Sequence, residues 1–310
     1  MKNHYCLKFA LFFFTFSSLA CAADEYYSET LHTDWRQSFK VEEKVYEEKT
    51  EQQHLIIFKN NTFGTVLALD GVIQVTEKDE YVYHEMMTHV PLLAHGDAKK
   101  VLIIGGGDGG ILREVLRHKT VEKAVLVEID ASVVTFSKKH LPTISNGAFE
   151  DKRAQVIIQD GCKFVKECKD TFDIIICDST DPIGPGAVLF TSEFYKDCHA
   201  LLNAKGIFVN QNGVPFFQKD ELTLTLKNRG PHFNTVGFYL AVIPTYAGGF
   251  MAFGWASDFK GHYRVPIKKL KERMKNVTGT MKYYTPEIHK ASFVLPKFIQ
   301  DTVDQTAISK

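Results

Sequence analysis

The sequence predicts an α/β protein: a mostly parallel sheet covered by helices on both faces, preceded by a small antiparallel β module. Three observations carry this expectation. After Lys99, short apolar runs alternate with helix-length segments, the pattern of parallel strands buried on both faces. A glycine cluster, Gly105 to Gly110, ends the first of those runs and opens the first helix. From Trp35 to Thr76, by contrast, β-prone runs follow one another with turns between them.

A chain of 310 residues, 45% of them hydrophobic, is long enough for one large core and a small second module. Its 37 basic and 37 acidic residues cancel, so nothing points to a nucleic-acid partner, and a cationic ligand has to be captured by local acids. The cysteines at 6, 21, 162, 168, 177 and 198 form no C-x-x-C pair and no cluster with histidines; they read as reduced, mostly buried small side chains. With no H-E-x-x-H and no Cys/His set, no metal is expected.

In chain order, residues 1–23 come first. Lys2 and Lys8 flank the start of FALFFFTFSSLA, and Ala20-Cys21-Ala22 resembles a cleavage site, the build of a secretory signal or a short membrane-associated tail. It is too short for a membrane-spanning helix and is set apart from the fold. Residues 24–79 form the β module: HLIIFKN, then GTVLALDGVIQV, with Asp70-Gly71 marking a tight hairpin. Residues 80–310 form the larger domain. Glu80 to Ala94 reads as a helix that Pro91 kinks or restarts. VLIIGGGDGG, KAVLVEID, AQVIIQD and FDIIICD are four strands, the helical ILREVLRH and ASVVTFSKKH following the first two. TSEFYKDCHALL is a helix capped by Thr191 or Ser192, and GIFVNQN is a fifth strand. FYLAVIPT and GGFMAFGWAS are expected as two antiparallel edge strands.

The glycine cluster fits G-x-G-x-x-G through Gly105, Gly107 and Gly110, and equally G-x-G-x-G through Gly105, Gly107 and Gly109. The first spelling suggests a dinucleotide, the second an S-adenosyl ligand. A strand before, a helix after, and Glu128 at the end of the second strand support a nucleoside with an exposed ribose, which a carboxylate holds by its hydroxyls. Asp108 tilts the balance, because a pyrophosphate is repelled by an acid among the glycines whereas an ammonium or sulfonium gains a partner. The plainer alternative is that Asp108 caps the next helix. Asp160-Gly161 has the same two readings: a contact to an adenine amino group, or a turn. Acids thus end four strands, at Asp108, Glu128 or Asp130, Asp160 and Asp178, and converge on the crevice where open α/β sheets bind ligands.

VLIIGGGDGGILREV, VEID, IIQDG and DSTDPIGPG resemble the polyamine aminopropyltransferases, and among them the bacterial spermidine synthases. The likeness extends through EKTEQQHLIIF, ALDGVIQVTEKDEYVYHEMMTHVPLLAH, LFTSEFY, GIFVNQNG and IPTYAGG, over roughly residues 26 to 300. It implies a Rossmann-like, methyltransferase-type sheet and transfer of the aminopropyl group of decarboxylated S-adenosylmethionine to putrescine, giving spermidine and methylthioadenosine. The donor is then a co-substrate and no cofactor is needed. By motif, Gln53, Asp108, Glu128, Asp160 and Gly161 resemble donor-side contacts. His84, Asp178, Asp181 and Pro185 match diamine-side or gate positions, Pro185 being counted with the donor pocket. Tyr83 and Tyr246 resemble tyrosines of the amine channel, and Asp178 resembles the family's proton acceptor. Cys177 and Ser179 exchange side-chain types around Asp178 relative to the family's usual spelling, without changing a charge.

The chemistry suits those roles. Decarboxylation leaves the donor with an amine, which Asp108 favours. Putrescine arrives as a dication, so one end has to lose a proton, to Asp178, while Asp181 holds positive charge. Pro182 and Pro185 stiffen the loop, and Gly184 and Gly186 let it turn. The rival readings are a methyltransferase or NAD-dependent dehydrogenase on the same sheet, and a non-catalytic polyamine- or nucleoside-binding protein. The resemblance implies a homodimer or homotetramer and a cytoplasmic protein. The signal-like residues 1–22 leave export open, and a start codon assigned upstream of the true one reconciles the two.

Overall fold

The computed structural model describes residues 24–50, 53–182 and 184–308; the signal-like segment 1–23 lies outside them. Its first strands, β1 (Tyr26–Ser28) and β2 (Ser38–Lys40), pair as a short antiparallel ribbon. A four-stranded antiparallel sheet follows: β3 (Glu43–Lys49), β4 (His54–Asn60), β5 (Gly64–Leu69) and β6 (Val72–Thr76). β5 and β6 turn at Asp70 and Gly71, both at positive φ, as the Asp-Gly pair predicts. One face of this sheet packs Leu55, Ile57, Leu67 and Leu69 against Leu141 and Ile144 of the larger domain, and the other packs Phe58, Val66 and Ile73 against Phe39. Both faces are therefore covered, and the module is seated rather than tethered.

The larger domain begins with α1 (Glu80–His95), which runs unbroken through Pro91. Then come β7 (Lys100–Gly105), α2 (Gly110–Leu116), β8 (Lys123–Glu128), α3 (Ala131–His140), α4 (Pro142–Ser145), β9 (Ala154–Ile158), α5 (Gly161–Glu167) and β10 (Phe172–Asp178). After a 3₁₀ turn at Gly184–Phe190 follow α6 (Ser192–Ala200), capped by the Thr191 hydroxyl, β11 (Leu202–Gln211), α7 (Lys219–Arg229), β12 (Thr235–Ala241) and β13 (Met251–Ser257). Helices α8 (Ile267–Met274), α9 (Pro286–Ser292) and α10 (Lys297–Ile308) close the chain. The sheet order is β12-β13-β11-β10-β7-β8-β9. β9 to β11 are parallel throughout, and β13 and β12 are antiparallel at one edge. The fold class is the expected one.

Alternate residues of β7 feed two cores. Val101 and Ile103 pack toward α1 and α2, Leu102 and Ile104 toward α5 and α6. That is why its sequence is apolar without interruption. Chain direction across the sheet reverses between β7 and β10, the topological switch point where such folds bind ligands. There Asp178 pairs in register with Gly105. Gly105 has φ +80°, and a Cβ on it would fall 2.0 Å from the Asp178 carbonyl oxygen.

Gly105→Ala combines that overlap with a left-handed backbone, and the expected loss is roughly 1–3 kcal/mol. Thermal unfolding should show a melting temperature lowered by several degrees; an unchanged one would contradict the close approach.

Candidate active site

The loop from β7 to α2 positions Asp108. Its Oδ1 accepts the N–H of Gly110, the first residue of α2, at 2.7 Å, although the N-cap position is Gly109 and carries no side-chain cap. Its Oδ2 lies 3.3 Å from His84 Nε2, while His84 Nδ1 is 2.6 Å from Glu80 Oε2. Arg113 grips both oxygens of Glu80, at 3.1 and 2.8 Å. Burial disfavours a charge on His84, yet Asp108 and Glu80 at its two ring nitrogens raise its pKa to about 10. A buried imidazolium thus stands behind Asp108. His84, expected among the diamine or gate residues, is 2% exposed and clamped at both nitrogens, which leaves no freedom for a gate; it acts on the cavity mainly through Asp108.

Glu128, the last residue of β8, and Asp130, two residues on, are separated by their partners. Asp130 caps α3 through Ser132 and accepts from Gln53 Nε2 at 3.0 Å and Thr50 Oγ1 at 3.2 Å. Its oxygens are consumed by structure. Glu128 accepts the Asp130 N–H at 2.9 Å through Oε1 and lines the cavity. Burial, with Asp130 and Asp178 adding to it, pushes its carboxyl up to about 7 despite backbone hydrogen bonds. Asp160 caps α5 by accepting the Lys163 N–H at 2.9 Å, a helix start in place of the expected turn, and it and Gly161 line the same cavity.

Across the switch point, Asp178 Oδ1 accepts the Tyr83 hydroxyl at 2.5 Å, and its Oδ2 lies on the side of Gly106. Burial and the nearby charge of Asp108 raise Asp178 to about 6, although the Tyr83 hydrogen bond and His84 pull the other way. Tyr246 stands edge-on to Tyr83, centroids 5.9 Å apart, with its hydroxyl on the Gln74 carbonyl. Asp181 accepts from Gln218 Nε2 at 3.0 Å. Pro185 lies in the 3₁₀ turn, and its side chain falls outside the described residues.

These groups share one cavity of about 480 Å³. It takes in the glycine loop at Gly105 and Gly107, Gln53, Asp108, Glu128, Asp160, Asp178, Asp181, Tyr83, His84 and Tyr246; Gly109 is turned away, its α-carbon hydrogen facing Ser145 and Phe149. Sequence reasoning missed a third wall. Glu29, Trp35 and Gln37, from the turn between β1 and β2, line the cavity; Gln37 donates to Glu29 at 2.7 Å and to the Thr245 carbonyl at 2.8 Å. No local signal marks them, because their partners lie far along the chain. Gln211 and Gln218 were also missed, although Gln211 sits at the carboxyl end of β11, the same place that drew attention to Asp178. Among the described residues no group of three His, Cys, Asp or Glu is arranged to hold a metal.

Comparison with known proteins agrees with this geometry. The family model described as the spermine/spermidine synthase domain matches residues 80–265, and the spermidine synthase tetramerisation domain matches residues 26–77. The chain belongs to the polyamine aminopropyltransferase family. It is similar to the polyamine aminopropyltransferase of Pectobacterium carotovorum, 53% identical over 275 residues covering 89% of this chain and 96% of that one. The Ruegeria sp. enzyme of the same name is 54% identical over 273 residues, 88% and 96% of the two chains. Spermidine synthase from Thermotoga maritima superposes with a TM-score of 0.84 at 39% identity, over 91% of this chain and 95% of that one. A spermidine synthase bound to the transition-state analogue AdoDATO superposes with a TM-score of 0.85 at 40% identity, with the same coverage. As an aminopropyltransferase, the chain carries its acids on the parallel sheet and completes their cavity with the N-terminal module.

The aminopropyltransferase should also show a stability signature of its buried imidazolium. A proton held to about pH 10 when folded, but released near 6.5 on unfolding, stabilises fully below pH 6.5; the gain disappears as pH climbs toward 10. Chemical denaturation between pH 8 and 10 should therefore fall more steeply for the wild type than for His84→Gln, by up to about 1.4 kcal/mol per pH unit. Parallel slopes would mean that His84 is not charged.

Proposed function

We propose that this aminopropyltransferase is a spermidine synthase, using decarboxylated S-adenosylmethionine as donor and putrescine as acceptor. The observation that carries this reading is the position of Asp178. Its carboxyl, hydrogen-bonded to Tyr83 and raised to about 6, lines one cavity with Glu128 and Asp160 on one hand and Asp181 and Tyr246 on the other.

On the donor side, the free face of Glu128 accepts the ribose hydroxyls, and a ribose supplies the hydrogen-bond donors that this buried carboxyl lacks. Asp160 and Gly161 lie at the adenine edge, with Gln53 closing the nucleoside site from the N-terminal module. Asp108 takes the primary amine of the aminopropyl arm. The glycine loop holds no cation for a pyrophosphate and places an acid there, which disfavours a dinucleotide.

On the amine side, Tyr83 and Tyr246 present ring faces and edges to the methylene chain, and Asp178 and Asp181 supply negative charge. One amine of the dication gives its proton to Asp178, directly or through one water. The freed nitrogen lone pair attacks the aminopropyl carbon bonded to sulfur, from the side opposite the sulfur. The carbon–sulfur bond breaks, and its electrons neutralise the sulfonium, leaving methylthioadenosine as a neutral thioether. The attacking nitrogen keeps both of its hydrogens and takes over the positive charge that sulfur loses, so the product leaves as a secondary ammonium, and the proton taken by Asp178 passes to solvent. Because sulfonium is already a good leaving group, the protein's work is placement and proton removal. A carboxylate with a pKa near 6 is ionised at neutral pH and still a usable acceptor. We further propose that the N-terminal module mediates homodimer or homotetramer formation; β3, its outer strand, is mostly exposed in the single chain.

Purified residues 24–310 should release methylthioadenosine with putrescine, and Asp178→Asn should lose about 10²-fold or more in turnover. Equal rates for the two would remove Asp178 from its role. A group that must be ionised gives activity that disappears as pH falls, so kcat/KM should drop below about pH 6. Tyr83→Phe removes a hydrogen bond that favours the carboxylate and should move that limb to higher pH; an unmoved or lowered limb would argue against the Tyr83–Asp178 pair.

A further inference from the structure

Gln218 stands just before α7 with its amide fully engaged. Oε1 accepts the Val214 N–H at 2.7 Å, and Nε2 donates to Asp181 Oδ1 at 3.0 Å and to Glu221 Oε2 at 3.3 Å. The seat for that amide is cleared by Gly213: its φ is +64°, and a Cβ there would fall 2.6 Å from Gln218 Oε1. Gln211 approaches the same Asp181 oxygen more loosely, at 3.5 Å, while its own Oε1 accepts the Gly213 N–H at 2.8 Å.

Behind Gln218, Glu221 is 6% exposed and makes no ion pair among the described residues. Asn212 Nδ2 donates to its Oε1 at 3.3 Å, and Asn212 is held in turn by Thr225 Oγ1 at 3.0 Å. Burial, and then the charge of Asp181, push the Glu221 carboxyl up to about 8, so at neutral pH it is mostly a neutral acid. Asp181 is thereby oriented by a neutral amide that is itself fixed by neutral groups. A lysine or arginine in Gln218's place would hold Asp181 as firmly but would cancel the charge that a diamine needs to find. An amide fixes the direction of the carboxylate and leaves its charge in the cavity.

Resting on the aminopropyl-transfer reading above, we propose that Gln218 is a positioning residue for the diamine, setting its affinity by fixing Asp181, and that Glu221 holds the Gln218 amide in turn. Neither residue touches the reacting atoms. Losing one hydrogen bond to a charged group weakens binding by about 10-fold or more, and the loss falls on the amine alone.

The test is steady-state kinetics with the full chain. Gln218→Leu should raise the KM for putrescine about tenfold or more, with kcat and the KM for decarboxylated S-adenosylmethionine each within about twofold of wild type. Glu221→Leu should shift the putrescine KM in the same direction, and Glu221→Gln, whose single amide oxygen can still accept from Gln218 but not from Asn212 as well, should recover part of the loss. An unchanged putrescine KM in Gln218→Leu overturns the proposal. So does a parallel rise in the donor KM, which would mean general disruption of the site. Calorimetric titration of putrescine in the presence of methylthioadenosine reads the same weakening without turnover, so an inactive preparation that still binds putrescine tests Gln218. Absence of methylthioadenosine release with every amine would instead count against the functional reading itself.

Discussion

Asp108 and Asp178 face each other across the switch point of the sheet closely enough that the charge of one raises the pKa of the other. Two carboxylates in a partly buried space repel, and proteins usually separate them or let one take up a proton. Here the repulsion is kept and contained. Asp108 is backed by the His84 imidazolium and the Gly110 amide; Asp178 is backed by a phenol. The balance leaves a net negative field in the cavity, which attracts positively charged ligands.

The supports behind the two acid positions differ in kind, and the difference follows from what each acid must do. Behind Asp108 the chain runs His84, Glu80, Arg113, alternating in sign through the interior, with Arg113 also on Glu114 and Glu114 on Arg117. Such a network is costly to bury unless every member is paired, and it anchors α1 to α2 as well as holding the glycine loop. Behind Asp181 the hydrogen-bonded chain runs through the Gln218 amide to the buried Glu221 and on to the Asn212 amide, with no Lys or Arg in it. The ionic arrangement ties the glycine loop to α1 and α2. The other leaves the charge of Asp181 uncompensated by its own supports.

Much of this was legible in the sequence because it lies in local pattern. Apolar runs of strand length, glycines after the first of them and acids at the strand ends translate directly into a parallel sheet with a charged carboxyl edge. The Asp70-Gly71 hairpin and the Thr191 cap are equally local. What local pattern does not separate is two acids two residues apart. Glu128 ends β8 and Asp130 follows it; Asp130 is tied locally by capping α3 and, across the chain, by Thr50 and Gln53 from the N-terminal module. His84 was singled out only by resemblance, and its clamp, from Glu80 one helical turn back and from Asp108 in the glycine loop, has no local signal. Glu29, Gln37 and Gln218 gave no signal at all, since neutral amides and solitary acids in turns acquire meaning from tertiary partners.

The N-terminal module explains why a methyltransferase-type sheet can here serve a different substrate. A parallel sheet alone offers a ligand only its carboxyl edge, open to water on the far side. The small module, seated on Leu141 and Ile144, brings Gln53 to the cavity beside Asp130 and adds the Glu29–Gln37 turn to its lining, where Gln37 is tied to Thr245 of the larger domain. Enclosure lowers the effective dielectric around the acids, so their charge is felt further across the cavity. The module's hydrophobic packing and the cavity's electrostatics are therefore one design problem: loosening the sheet from its seat would let water screen the carboxylates even with every acid still in place.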